Sequence, residues 1–86
     1  MDTKNEKLRD ACQTALNTFK KMRNSEYAEI QSKLEFVIGS YNFDKNPVGL
    51  YEIGELALKM LNEIEKKNPK KVAKKVVTDL ADFLRS

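Results

Sequence analysis

Histidine and tryptophan are absent from this 86-residue chain, and cysteine occurs once. Without histidine the sequence has neither the commonest general base nor the commonest metal ligand. A lone Cys12 cannot close an intramolecular disulfide, and without histidine it does not complete an ordinary zinc site. A secreted domain of this size would usually carry paired cysteines, so the cytoplasm is the expected compartment. No apolar run approaches the roughly 18–20 residues that span a bilayer. The opening Met1-Asp2-Thr3-Lys4 is polar and leads into a charged segment, so a signal peptide is not expected. No phosphate-binding glycine loop, dinucleotide fingerprint, calcium loop or paired-cysteine motif occurs. An enzyme has no residue to rest on, and no cofactor or metal is expected.

Glycine and proline are scarce too, with three and two residues, while charged residues make up 34% and hydrophobic ones 41%. That balance favours helices over a sheet or disorder. A chain of this length is expected to form one domain, 1–86, burying only roughly 60–65% of the surface its unfolded form exposes.

Apolar spacing predicts four helices, roughly 4–22, 26–41, 47–65 and 69–84. The first carries Leu8, Ala11, Cys12, Ala15, Leu16, Phe19 and Met22 on one face, with Thr3 and Glu6 spaced as a capping box. The second carries Tyr27, Ile30, Leu34, Val37, Ile38 and Tyr41, with Asn24 or Ser25 as its cap. The third opens at Lys45-Asn46-Pro47, where asparagine suits the cap and proline the first helical position. Its stripe is Leu50, Ile53, Ala57, Met60, Leu61 and Ile64, widened by Leu56 and Leu58, which predicts the most buried helix of the set. Gly49 and Gly54 within it suit a close helix–helix approach. The fourth opens on the same signal, Lys67-Asn68-Pro69, and its stripe is Val72, Ala73, Val76, Val77, Leu80, Phe83 and Leu84. Short connections place successive helices antiparallel, so the expected fold is an all-α, up-down-up-down four-helix bundle.

Charge is unevenly spread. Lysines and arginines dominate the first and fourth segments, and most carboxylates lie between. In a bundle with helices 1 and 4 adjacent, this gives one basic and one acidic side, which the net charge of +3 conceals. Lys66, Lys67, Lys70, Lys71, Lys74 and Lys75 form the candidate anion-binding or partner-binding cluster. With a fourth helix starting at Pro69, they crowd the end where free N–H groups favour an anion and lysines oppose the dipole. The alternative is a solvated lysine face, partly neutralised by Glu63 and Glu65. The cluster has no interleaved aromatics and no arginine fork, which weakens base-specific reading of nucleic acid.

Phe36 lies off its stripe and Phe43 falls between predicted helices, so both are candidate exposed aromatic contacts. Phe43 can instead fold back over the third helix and close the core, the preferred reading for that residue. Cys12, on an apolar stripe, reads as a small buried hydrophobe. The pairs Glu52/Glu55 and Glu63/Glu65 read as solvated helix surface with no concave site around them.

In size, basic charge and four-helix outline the chain resembles the bacteriocin immunity proteins. The resemblance is architectural, and no diagnostic motif carries it. It implies a cytoplasmic protein that protects against a peptide toxin by binding a membrane receptor complex. The chain departs from that family in ending at Ser86, directly after its last helix, where those proteins continue into a tail tied to specificity. The leading expectation is a small non-catalytic binding protein whose basic face, on helices 1 and 4, contacts an anionic partner, either another protein or an anionic surface. Alternatives are an immunity-like protein and a nucleic-acid-binding accessory protein. A monomer or a weak, salt-sensitive homodimer is expected.

Overall fold

The computed structural model describes residues 3–85. In chain order the elements are α1 (Thr3–Met22), a 3-10 turn (Ser25–Tyr27), α2 (Ala28–Asp44), α3 (Val48–Lys67) and α4 (Lys74–Arg85), with no strand among the described residues. Helix α1 packs against α2 and α4, α3 packs against the same two, and α1 and α3 also meet. Helices 1 and 4 are therefore neighbours, as are 2 and 3.

The predicted stripes supply the core. Leu8, Cys12, Ala15 and Phe19 from α1, Leu34 from α2, Leu50, Ala57 and Leu61 from α3, and Leu80 from α4 have no solvent exposure. Among the described residues no charged or hydrogen-bonding polar residue other than Tyr41 is buried with them. Helix α3 is not set apart as the most buried, because α1 contributes just as many buried positions. Leu56 points partly outward, and Leu58 inward. Two glycines of α3 do mark close approaches. A Cβ at Gly54 would stand 3.1 Å from Leu84 Cδ2 and 3.6 Å from Cys12 Sγ, and one at Gly49 would stand 2.8 Å from Val37 Cγ1. Bare backbone at these points lets α3 lie against α1 and α4 at one and against α2 at the other.

Helix ends follow the sequence in part. Asn24 Oδ1 accepts from the Glu26 N–H at 2.9 Å, so the expected cap forms, though the chain then makes one 3-10 turn before α2. Asn46 Oδ1 likewise accepts from the Val48 N–H at 3.1 Å, though Pro47 stands at the cap position and α3 begins at Val48, one residue later than expected. The capping box at Thr3 does not appear as drawn, since Thr3 is already inside α1. Glu6 is engaged elsewhere. It accepts the Tyr41 hydroxyl, and Lys45 Nζ lies 3.9 Å from the same carboxylate. Arg9 adds a bond to Asn42 Oδ1 at 3.1 Å, so polar contacts tie the start of α1 to the end of α2.

Two boundaries lie further from expectation. Helix α2 runs to Asp44 instead of ending near Tyr41. It is closed by Lys45 in the left-handed conformation (φ 62°), whose N–H reaches Tyr41 O at 2.7 Å. Glycine or asparagine usually takes that position. Here the lysine ammonium stands 5.2 Å from the Tyr41 ring centroid and near Glu6. Helix α4 begins at Lys74, five residues after its expected start, and so has only 12 residues.

Candidate functional site

The second Lys-Asn-Pro sequence does not open a helix. Asn68 ends α3, its N–H bonded to Ile64 O at 2.7 Å and its backbone extended (φ −143°, ψ 79°), as the residue before a proline prefers. Pro69 then takes the second position of a turn closed by Lys71 N–H to Asn68 O at 3.0 Å. Val72, only 1% exposed, drops from this turn into the core and pins the connection. Nothing apolar between Asn68 and Val72 could dock a first helical turn on the bundle, whereas Leu50 does this three residues after Pro47.

The six candidate lysines therefore divide among three settings. Lys66 and Lys67 close α3, Lys70 and Lys71 ride the turn, and Lys74 and Lys75 open α4. This corrects the expectation that all of them crowd the N-terminus of one helix against its dipole. Cations in the last turn of α3 are favourably placed, and only Lys74 and Lys75 oppose the dipole of α4. Each of the six is exposed, and among the described residues none pairs with a carboxylate. The expected neutralisation by Glu63 and Glu65 does not take the form of ion pairs. Two exposed charges held roughly 10 Å apart in water repel by only about 0.4 kcal/mol, so the run is tolerated without pairing.

Beside the connection lies a cleft of about 280 Å³, floored by Met22, Tyr27, Met60 and Ile64 and rimmed by Glu26, Glu63, Lys67 and Lys71. Its carboxylates and ammonium groups oppose each other, so it does not favour a simple anion. A larger groove of about 480 Å³ follows the α1–α4 seam over Ala11, Ala73, Val76 and Phe83. Of the six lysines only Lys75 borders it. The lysines thus converge on no enclosed pocket. They form an outward-facing basic patch, a geometry that meets a charged surface.

The two candidate aromatics are both exposed, Phe36 at 75% and Phe43 at 92%. Closure of the core by Phe43 is overturned, because the extra turn of α2 carries this residue to the outer face of the helix. Val48 and Leu56, both on α3, are exposed as well. Sequence reasoning did not single them out as surface, since Leu56 sits among apolar neighbours that widen the α3 stripe. Cys12 is buried as expected, and desolvation pushes its thiol up to about 12. Glu52, Glu55 and Glu63 are exposed, and among the described residues no group of acids or cysteine is placed to hold a metal ion. Among those residues, no helix is long and apolar enough to cross a membrane.

Compared with models of protein families, with curated proteins and with solved structures, the chain matches none.

Proposed function

We propose that this chain is a small non-catalytic binding protein that engages an anionic partner through the lysine-rich α3–α4 connection. The observation that carries this reading is the state of Lys66, Lys67, Lys70, Lys71, Lys74 and Lys75, all exposed and, among the described residues, none in an ion pair with a carboxylate. A turn pinned by Val72 holds Lys70 and Lys71 forward, so the ammonium groups reach a partner without the rest of the bundle intervening. The lack of histidine and the burial of the single thiol support a non-catalytic role. A lone reduced cysteine suits the cytoplasm.

The reading takes the helices as an antiparallel up-down-up-down bundle. In support, Glu6 and Arg9 near the start of α1 meet Tyr41 and Asn42 near the end of α2. The partner is a protein with an acidic surface, because the patch has no arginine fork and no aromatic on which a base could stack. The protein works as a monomer or as a weak dimer loosened by salt.

The test is a binding titration at several salt concentrations against an acidic polypeptide (polyglutamate), duplex DNA, RNA and anionic vesicles. Parent and Lys70→Glu/Lys71→Glu proteins are compared, each checked by circular dichroism. The expected result is polyglutamate binding at low salt that weakens as salt rises, and at least a tenfold loss in the variant. Stronger binding to DNA or RNA with a steep salt slope would replace this reading with the nucleic-acid one. Absence of binding to every polyanion at low salt would refute it.

A further inference from the structure

Every large hydrophobic residue exposed among the described residues belongs to α2 or α3: Phe36, Phe43, Val48 and Leu56. Phe36 and Phe43 are seven residues apart, so they share one face of α2, separated by about 10.5 Å along its axis. Between them on that face lie Gly39 and Ser40. Gly39 is the one glycine of the chain that the fold leaves unexplained. A Cβ built there would meet nothing within 4 Å, in contrast to Gly49 and Gly54. A mid-helix glycine weakens its helix, and this one leaves an open notch between two exposed phenylalanines.

The charges around this surface have one dominant sign. From Ala28 to Lys59 the exposed charges are Glu29, Glu35, Asp44, Glu52 and Glu55 against Lys33, Lys45 and Lys59, and Lys45 is turned toward Glu6 of α1. Glu29 pairs with Lys33 and Glu35 with Lys20. Asp44, Glu52 and Glu55 have no ion pair among the described residues. On α3, Val48, Glu52 and Glu55 follow the spacing that puts residues on one helical face. Helices α2 and α3 pack on each other, so the pair presents exposed apolar side chains from both and unpaired carboxylates from α3.

We propose that this outer α2–α3 surface docks a basic amphipathic helix of a partner protein. Its apolar side chains would seat on Phe36 and Phe43 and in the notch at Gly39, and its lysines or arginines would face Glu52, Glu55 and neighbouring acids. The spacing of Phe36 and Phe43 matches the two-turn repeat of such a helix. The excess of carboxylates disfavours two other occupants. A second copy presenting the same face brings like charges together, and an anionic membrane is repelled. Phe36, Gly39, Phe43, Glu52 and Glu55 share no residue with the lysine-rich connection, so the proposal stands independently of the function assigned there.

The probe is a fluorescent 18-residue peptide of leucine and lysine, with leucines at helical spacing on one face. Controls are a scrambled peptide of identical composition and the same pattern with glutamate for lysine. Binding is read by anisotropy at low salt, and sedimentation of the protein alone runs in parallel. The parent is expected to bind the patterned basic peptide at least tenfold more tightly than either control. Phe36→Ser/Phe43→Ser, at exposed positions that leave the circular dichroism unchanged, should weaken binding at least tenfold. Gly39→Leu should fill the notch and weaken it fivefold or more, while Lys70→Glu/Lys71→Glu leaves it within twofold. Equal binding of the scrambled peptide would reduce the interaction to charge alone and overturn the proposal, as would unchanged binding by the phenylalanine variant. A salt-insensitive dimer that dissociates in the phenylalanine variant would overturn it too, by making a second copy the occupant.

Discussion

Cys12 gives the sharpest test of the packing. Its sulfur is fully buried, 3.9 Å from Leu50 O and 3.6 Å from the position a Gly54 Cβ would take. Only thiolate attacks a disulfide reagent. Burial without a compensating charge raises the thiol from its ordinary 9.0 to about 12, so at any pH below 9 the folded protein carries about a thousandfold less thiolate than the unfolded chain. Reaction through global unfolding is slow as well. A stability of about 5 kcal/mol leaves roughly one molecule in several thousand open. Both routes predict native labelling at least about a thousandfold slower than labelling in guanidinium, read by absorbance of the released aromatic thiol at pH 8. The same shift has a consequence in alkali. Because burial penalises only the thiolate, the thiol costs the fold nothing below pH 9, and stability falls as pH rises from 9 toward about 12. The full loss, reached only near the folded pKa, is on the order of 4 kcal/mol. Cys12→Ala should therefore lose less stability than the parent between pH 9 and 11. Native labelling within tenfold of the denatured rate would refute the burial of the α1 stripe and reopen a redox role for this residue.

Leu61→Ala and Leu80→Ala each empty a position with no exposure and should cost about 2–5 kcal/mol in denaturant titrations. Gly49→Ala should destabilise despite its better helix propensity, because the new Cβ meets Val37 Cγ1 at 2.8 Å. Gly39→Ala should stabilise by up to about 1 kcal/mol, so matched thermal melts of the two alanine variants should move in opposite directions. Lys74→Glu puts an acid in the first turn of α4 and should raise stability by about 0.3–1 kcal/mol, an effect that shrinks in high salt.

The four helices and the core positions were legible because apolar spacing is a direct image of burial. Leu8, Phe19, Leu34, Leu61 and Leu80 stand where the periodicity put them. The boundaries were less legible, for a reason visible in the repeated Lys-Asn-Pro. Both asparagines end or begin helices, and both prolines take a fixed φ, but a proline fits a first helical position and the second position of a turn equally well. What separates the two cases is downstream. Leu50 docks α3 at once, whereas Lys70 and Lys71 offer nothing to the core and Val72 docks as loop. Phe43 was misread for a related reason. The end of α2 is set by a left-handed lysine at 45, stabilised by contacts to Tyr41 and Glu6 from two different helices. Local sequence carries no sign of that, since a lysine there is not the usual stop signal. Arg23, at φ 51° after α1, is a second left-handed basic residue of the same kind.

Residues that the fold requires can be separated from those it merely carries. Gly49 and Gly54 are required, because a side chain at either collides with or presses on a neighbouring helix. Lys66 and Lys67 assist α3 by standing at the negative end of its dipole. Lys70 and Lys71 assist nothing in the bundle, and Lys74 and Lys75 work against α4. Gly39 weakens α2 without easing any contact, and Phe36 and Phe43 expose apolar area that folding would rather bury. Small domains have little stability to spare. The features that folding does not require are those on which the two proposed surfaces rest, and they sort into two groups of opposite sign. The basic group lies on one connection and the acidic, aromatic group on the α2–α3 layer. With both proposed surfaces engaged, the molecule would hold an acidic and a basic partner at once, and its modest net charge of +3 conceals both surfaces.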